Sequence, residues 1–503
     1  MSRSLIIIIY EVDTMANMWS DRTNMSLLTD FYELTMGKGY LDGGNAEKIV
    51  YFDMFFRNVP EGGGFAVMAG LEQVIDYLSN LHFNEDDLQF LSKYGFDDKF
   101  IDYLRNFNFS CDVWAIPEGT VVFPREPLVK VRGPVLQAQL LETALLCTIN
   151  HQSLIATKTA RIVRAAEGRP IMEFGARRAQ GFDASVLGAR AAYIAGVAGT
   201  SCTICGQQFD IPLSGTMAHS WVMLFDDEFE AFKAYAESYP DKTLLLVDTY
   251  DVLKSGIPNA IRCAKEVLEP MGKRLLGIRI DSGDLTYMTQ KARAMLDEAG
   301  LTDCKITVSN ALDEYLIRDL IRQGACIDYF GVGERLITSK AEPVFGGVYK
   351  ISAVEEEDGT VIPKMKISEN AGKVTTPCNK EIVRFYDKAT GKAMADVLFV
   401  EGEEIPNGEP YEIFDPVETW KSKTLENYET RKLLVKIFEN GKPVYKSPSI
   451  KDIRNYCTKE IDSLWDAVKR FENPHNYYVD LSPKLWKIKD DILHTYKKNK
   501  HIK

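Results

Sequence analysis

No stretch of the sequence is apolar for long enough to cross a bilayer. The most apolar run, Leu5-Ile6-Ile7-Ile8-Ile9-Tyr10, passes directly into Glu11-Val12-Asp13 without a small-residue cleavage site. Export is therefore not expected, and the cytoplasm is the expected location. The chain has no GxxxxGK[ST], and no GxGxxG follows an apolar strand, so Walker-type nucleotide enzymes and dinucleotide-dependent dehydrogenases lose support. It has no excess of positive charge, since 60 Lys and Arg face 72 Asp and Glu, a formal charge of −12. Such a field repels phosphate backbones and anionic membranes, so neither nucleic acid nor a membrane surface is an expected partner. Cysteine is sparse and scattered: nine residues, an odd number, lie between Cys111 and Cys457, which fits reduced thiols better than a disulfide framework. The close pair Cys202 and Cys205 has no second pair and no histidines at zinc-finger spacing, and it reads as buried strand residues.

What is present is the composition of a globular protein, 45% hydrophobic and 26% charged over 503 residues, too long for one core to be the expectation. Residues 1–25, with alternative starts at Met15, Met18 and Met25, read as an extension outside the fold. Residues 26–150 read as a mixed α/β domain. Thr29-Asp30 caps a first helix, Tyr51–Phe56 is a strand, and Leu71–Leu81 has helical spacing.

Residues 151–347 repeat one pattern. An apolar strand ends in polar or glycine residues and a helix follows: Leu244–Val247 before Asp248-Thr249, Leu275–Ile280 before Asp281-Ser282-Gly283-Asp284, Lys305–Val308 before Ser309-Asn310, and Ile327–Phe330 before Gly331-Val332-Gly333. Short continuous apolar strands at this spacing predict a parallel sheet under helices, either barrel or open, with function gathered at the strand C-termini. From residue 348 the pattern stops. A hairpin is expected around Glu355–Gly359, then charged helices from Ile450 to Lys503.

Four segments carry chemistry, each with a plainer alternative. Asp281 and Asp284 follow a strand that holds Arg279, so carboxylates and a guanidinium share a strand end, where they could steady a cationic transition state or hold magnesium. For Asp284 a helix cap is the simpler role. Arg177 and Arg178 in EFGARRAQG could clamp a carboxylate or phosphate, or form surface ion pairs. Gly331 and Gly333 could bare backbone N–H groups to a phosphate, or make a tight turn. His219, one of six histidines, follows an apolar Ile211-Pro212-Leu213 strand and Gly215-Thr216. Its imidazole could serve as base or nucleophile, including attack on a γ-phosphate, or be a hydrogen-bonded core residue.

Eight segments in consistent order resemble nicotinate phosphoribosyltransferase: Leu28-Thr29-Asp30-Phe31-Tyr32, Phe55-Phe56-Arg57, EFGARRAQG from Glu173, GTMAHS from Gly215, RIDSGDL from Arg279, VSN from Val308, GVG from Gly331 and GGVYK from Gly346. The resemblance runs from about Ser26 to beyond Pro377. It implies the irregular (β/α) barrel of the type II phosphoribosyltransferases, with an N-terminal mixed α/β domain and a C-terminal extension. It also implies synthesis of nicotinate mononucleotide and diphosphate from nicotinate and 5-phosphoribosyl 1-pyrophosphate, with ATP as co-substrate, Mg2+, a transient phosphohistidine at His219, and a homodimer in which the Tyr32 region is lent by the neighbouring subunit. By the same resemblance Tyr32, Thr216 and Arg279 contact nicotinate and Thr375 contacts the phosphoribosyl substrate. Phe174 and Arg177 suit the aromatic ring and its carboxylate, Ser309, Asn310, Gly331 and Gly333 suit the phosphoribosyl group, and Asp281 suits electrostatic support of the transfer. The alternatives are a phosphoribosyltransferase acting on nicotinamide or quinolinate, and a catalytically silent sensor of nicotinate or a nucleotide.

Overall fold

In the computed structural model, which describes residues 24–500, six short strands form one all-parallel sheet. Their order is Gly199–Thr200, Ile171–Glu173, Tyr329–Val332, Lys305–Val308, Gly277–Ile280 and Leu244–Leu246. Ile278, Ile280, Ile306, Val308, Phe330 and Val332 are buried and, by the strand pairing, lie on one face of the sheet, alternating with Arg279, Thr307 and Gly331 on the other. The two outer strands do not pair with each other, so the barrel is incomplete and the expected irregular (β/α) architecture is found. Asp284 takes the plainer of its two roles: it caps the Leu285–Glu298 helix, its carboxylate accepting from the Tyr287 N–H at 3.1 Å.

Two local expectations are corrected. Ile211–Leu213 is not a strand and makes only a single bridge, between Leu213 and Thr200, since Pro212 has no N–H to donate to a ladder. Cys202 and Cys205 are buried but not in a strand; Cys205 lies in the Thr203–Phe209 helix with Cys202 at its N-cap. The Thr200 hydroxyl accepts from the Cys202 N–H at 3.0 Å, a local bond that turns the chain out of the sheet. The expectation for residues 1–25 falls, as far as residue 23, outside the described residues.

Beside the barrel lies a seven-stranded antiparallel sheet in the order Val361–Pro363, Gly347–Glu355, Ile49–Phe56, Val129–Pro134, Asp112–Ala115, Val435–Glu439 and Lys442–Pro443. The expected hairpin is there, Gly347–Glu355 against Val361–Pro363, but its first strand also pairs with Ile49–Phe56. N-terminal and C-terminal segments thus share one sheet. A four-stranded sheet joins Tyr428–Lys432, Lys380–Asp387, Ala393–Val400 and Val479–Leu481. The last of these strands separates the helices Ile450–Ser463 and Pro483–Lys500. Among the described residues no helix is long and apolar enough to cross a membrane.

The Glu142–Ala165 helix belongs to both cores. Its Leu145, Ile149 and Leu154 pack with the antiparallel sheet, while Ile155, Ala156, Ala160 and Ile162 pack with the barrel. Polar side chains along it are spent on specific partners: Ser153 and Thr157 hydroxyls accept the backbone N–H groups of Ala69 and Val67, and Arg161 donates to Glu314 at 2.7 Å. Farther along the chain, Arg190 grips Glu118 with two 2.8 Å bonds and reaches Glu72. Each such group is affordable in the interior only because it is paired and hydrogen-bonded.

The most enclosed of these groups is Arg384. Its guanidinium is wholly buried and donates to both oxygens of Asp396 at 2.6 and 2.8 Å, to Glu460 at 3.2 Å and to the Val121 carbonyl at 2.9 Å. Arg384→Ala leaves the buried Asp396 carboxylate without a cation, while Glu460 keeps Arg431 at 2.8 Å, and is expected to cost about 3–5 kcal/mol. Urea unfolding followed by circular dichroism measures this, and an unchanged midpoint would show that Asp396 finds another partner.

Candidate active site

The C-terminal ends of the parallel strands converge on one guanidinium. Arg279, near the end of Gly277–Ile280, donates from Nε to the Ser309 hydroxyl at 2.8 Å, from Nη1 to the Thr216 hydroxyl at 3.1 Å, and from Nη2 to Asp281 Oδ1 at 3.0 Å. The Ser309 hydroxyl in turn donates to that same Asp281 oxygen. Five planar N–H donors are what allow one side chain to tie three chain segments together. The guanidinium carbon lies 5.4 Å from the centroid of the Phe174 ring, within the range of a cation–π contact.

Phe174 can lie there because position 331 has no side chain. A Cβ on Gly331 would stand 2.6 Å from two atoms of the Phe174 ring and 3.2 Å from Ser309 Cβ. Gly331 is inside the Tyr329–Val332 strand, and Gly333 is the N-cap of the short Glu334–Ile337 helix. The loop after Ile171–Glu173 is shaped from beneath by Glu173, fully buried, whose carboxylate accepts from the Gly175 N–H and from the Thr200 hydroxyl, the latter at 2.6 Å. Burial pushes the Glu173 carboxyl up, against the pull of those two donors. Asn310, next to Ser309, has φ of 114°, a left-handed backbone that Asn tolerates better than most residues. Its side-chain oxygen accepts from the Ala311 N–H at 2.7 Å.

His219 begins the short His219–Met223 helix and is half-buried. Its Nδ1 is 3.2 Å from the Thr249 hydroxyl, which fixes the ring and leaves Nε2 without a hydrogen bond among the described residues. The neighbour of Thr249, Asp248, uses one oxygen to accept from the Asp281 N–H at 2.9 Å and the Ser282 hydroxyl at 2.7 Å. Its other oxygen is buried with no partner. Thr216, Arg279, Asp281, Ser309, Phe174 and Gly331 are therefore brought together, with His219 joined to the next strand end through Thr249.

Other residues singled out in the sequence share no side-chain hydrogen bond or ion pair with the Arg279 group among the described residues. Arg177 and Arg178, in the Ala176–Arg178 turn, are exposed, and neither side chain has an ion pair or hydrogen bond among the described residues. Tyr32 projects from the Phe31–Asp42 helix, 43% exposed, and burial together with the Glu142 carboxylate pushes its phenol up. Thr375 is buried beside the antiparallel sheet, its hydroxyl accepting from the Lys366 N–H at 3.0 Å. It shares a small cavity with Arg125, Thr376, Lys380 and Asp53. Lys489 reaches Thr376 Oγ1 at 3.5 Å, and burial, with Arg125 and Lys380 adding to it, lowers its ammonium to about 8. Neither Tyr32 nor Thr375 shares a hydrogen bond or ion pair with the Arg279 group among the described residues. Asp248 and Thr249 are visible in the sequence as a polar pair closing a strand, but nothing there gave them a task. Their position, matching Asp281-Ser282 one strand over, is the signal that could have done so.

Comparison with known proteins shows the family. Residues 27–150 match the nicotinate phosphoribosyltransferase (NAPRTase) N-terminal domain, residues 170–399 the NAPRTase family, and residues 379–489 the nicotinate phosphoribosyltransferase C-terminal domain. The nicotinate phosphoribosyltransferase of Bacillus subtilis is 44% identical over 477 residues, covering 94% of this chain and 96% of its own. That of Mycobacterium tuberculosis is 39% identical over 466 residues, 92% of each chain. The crystal structure of human nicotinic acid phosphoribosyltransferase superposes with a TM-score of 0.82 at 30% identity, over 92% of this chain and 99% of that one. With homology over nearly its whole length and strand-end groups arranged as described, the chain belongs to the nicotinate phosphoribosyltransferase family.

Proposed function

We propose that this chain transfers the phosphoribosyl group of 5-phosphoribosyl 1-pyrophosphate to nicotinate and couples ATP hydrolysis to the transfer through His219. The observation that carries this reading is the Arg279 group. A guanidinium backed by Thr216 and lying over Phe174 offers a pyridine carboxylate both a charge partner and an aromatic face. The ring nitrogen of nicotinate attacks C1 of the ribose, the bond from C1 to the pyrophosphate oxygen breaks, and the electron pair leaves with pyrophosphate. Asp281, held by Arg279 and Ser309, stands at the strand end where its charge can steady the oxocarbenium-like state. The buried, unpartnered oxygen of Asp248 beside Asp281 fits a magnesium ion. When bound there, the metal would supply positive charge to the departing pyrophosphate.

His219 acts in the coupled step. Thr249 orients the imidazole, and its unengaged nitrogen can attack the γ-phosphate of ATP, expelling ADP and giving a phosphohistidine that water later cleaves. The phosphoribosyl substrate is assigned to Ser309, Asn310, Gly331 and Gly333 at the strand ends and to Thr375, around which Arg125 and Lys489 lack carboxylate partners among the described residues. A local basic pocket of this kind is what an anionic substrate needs in a chain of charge −12. Tyr32 and Thr375 share no hydrogen bond or ion pair with the Arg279 group among the described residues, and apolar side chains at Phe31, Phe182, Met223, Leu224 and Tyr250 are exposed. Both features support a homodimer in which one copy completes the other's site. Nine cysteines without a disulfide support a reducing, cytoplasmic setting.

Initial rates with nicotinate, nicotinamide and quinolinate, each with 5-phosphoribosyl 1-pyrophosphate, magnesium and ATP, test the reading. Nicotinate is expected to be strongly preferred, and a preference for nicotinamide would overturn the substrate assignment. Binding of nicotinate without pyrophosphate release would favour a sensor. His219→Asn is expected to lose all ATP stimulation yet keep a slow ATP-independent transfer, because phosphoryl and glycosyl transfer use different groups. Intact ATP coupling in that variant removes His219 from its role. Arg279→Lys keeps the charge but not the fork, and loss of a charge-assisted hydrogen bond of about 1.5–3 kcal/mol lowers kcat/KM for nicotinate about 10- to 100-fold. A wild-type value for that variant would place the carboxylate elsewhere.

A further inference from the structure

A second polar cavity, of about 920 Å3, shares no residue with the Arg279 group. Its walls come from the loop after the Ile49–Phe56 strand, from the loop between Tyr411–Phe414 and Ser422–Leu425, and from the segment leading into Val479–Leu481. Asp480 lines it from the middle of that last, edge strand. The residue is 3% exposed, yet its carboxylate has no hydrogen bond and no ion pair among the described residues. An isolated carboxylate cannot stay charged in such a place without a partner.

Another carboxylate, Asp415, lines the same cavity. Burial pushes the Asp480 carboxyl up to about 7, and the charge of Asp415 adds to the effect. Asp415 is itself fixed: one of its oxygens accepts from the Val417 and Glu418 N–H groups at 2.8 and 2.7 Å, and the other has no partner among the described residues. The cations nearby are otherwise engaged or do not reach Asp480. Lys421 is paired with Glu418, and Lys423 lies over the Tyr478 ring at 5.2 Å. Arg470 and His475 also line the cavity, and neither has a hydrogen bond or ion pair with Asp480 among the described residues.

We propose that Asp480 and Asp415 bind a hard divalent cation that fastens the 415–421 loop to the Val479–Leu481 strand. Calcium fits best, since all-oxygen donors on a loop and a strand impose no regular octahedron, and the open cavity admits the water ligands that calcium needs to complete six to eight contacts. Magnesium, which demands near-ideal octahedral geometry, suits the place less well.

Equilibrium dialysis against calcium chloride, with metal counted per chain, tests the proposal on the full-length protein. The wild type is expected to hold calcium that Asp480→Asn and Asp415→Asn both lose and that Asp281→Asn retains. The last variant separates this site from the reaction centre. Calcium is also expected to raise the wild-type melting temperature by about 3 °C when it is present at about 100 times its Kd, with no rise in Asp480→Asn. Asparagine is isosteric and removes a buried charge, so folding survives. Asp415→Asn, on a loop, gives an independent check, and circular dichroism verifies both variants. Equal calcium in wild type and Asp480→Asn, no calcium in the wild type, or loss only in Asp281→Asn overturns the proposal.

Discussion

The geometry at the strand ends depends on the Arg279 guanidinium. Ser309, Thr216 and Asp281 come from three different segments, and each gives an oxygen to a different nitrogen of that one planar group. Planarity matters as much as charge, because the three donor directions fix three loops relative to one another rather than merely attracting them. The Phe174 ring beside the guanidinium depends on the same constraint from the other side, since it occupies space that a Cβ on Gly331 would fill. The floor of the candidate pocket is thus set by a cation, an aromatic ring and a missing side chain acting together.

Behind that site, the Glu142–Ala165 helix joins the barrel to the antiparallel sheet, with apolar residues in both cores. Ionic groups along and around it are closed on themselves: Arg161 on Glu314, Arg190 on Glu118 and Glu72, and Arg384 on Asp396 and Glu460. Buried pairs of this sort add little net stability compared with apolar packing, but they fix orientation, because misregistered neighbours would leave charges unpaired. Such precision suits a scaffold whose strand ends must hold side chains to within a fraction of an ångström.

Much of this was legible in the sequence, for reasons that can be named. Strands at 277–280 and 305–308 show through Ile278, Ile280, Ile306 and Val308, which the buried face of the sheet requires to be apolar, and their polar successors, Asp281 and Ser309, mark the functional end. Ile211–Leu213 misled because three apolar residues satisfy the hydropathy of a strand while Pro212 cannot satisfy its hydrogen bonds. Cys202 and Cys205 misled for a related reason: burial was correct, but the Thr200 hydroxyl bends the chain into a helix. The contact of Phe174 with Gly331 and the bond from Thr249 to His219 were out of reach, since each joins residues far apart in the chain and no local pattern encodes them. The same holds for the antiparallel sheet, which takes strands from both ends of the sequence.

That last arrangement bears on how the chain is made. The Asp112–Ala115 strand meets its outer neighbour, Val435–Glu439, only when a segment hundreds of residues downstream arrives. During synthesis its N–H and C=O groups on that side form an open ribbon edge while the whole parallel barrel is still emerging. An uncovered edge is a template for pairing with other chains, and such long-range pairing is slow. The nascent polypeptide therefore spends most of its time on the ribosome with a vulnerable border, and crowding by other copies is most hazardous before the final strands close it.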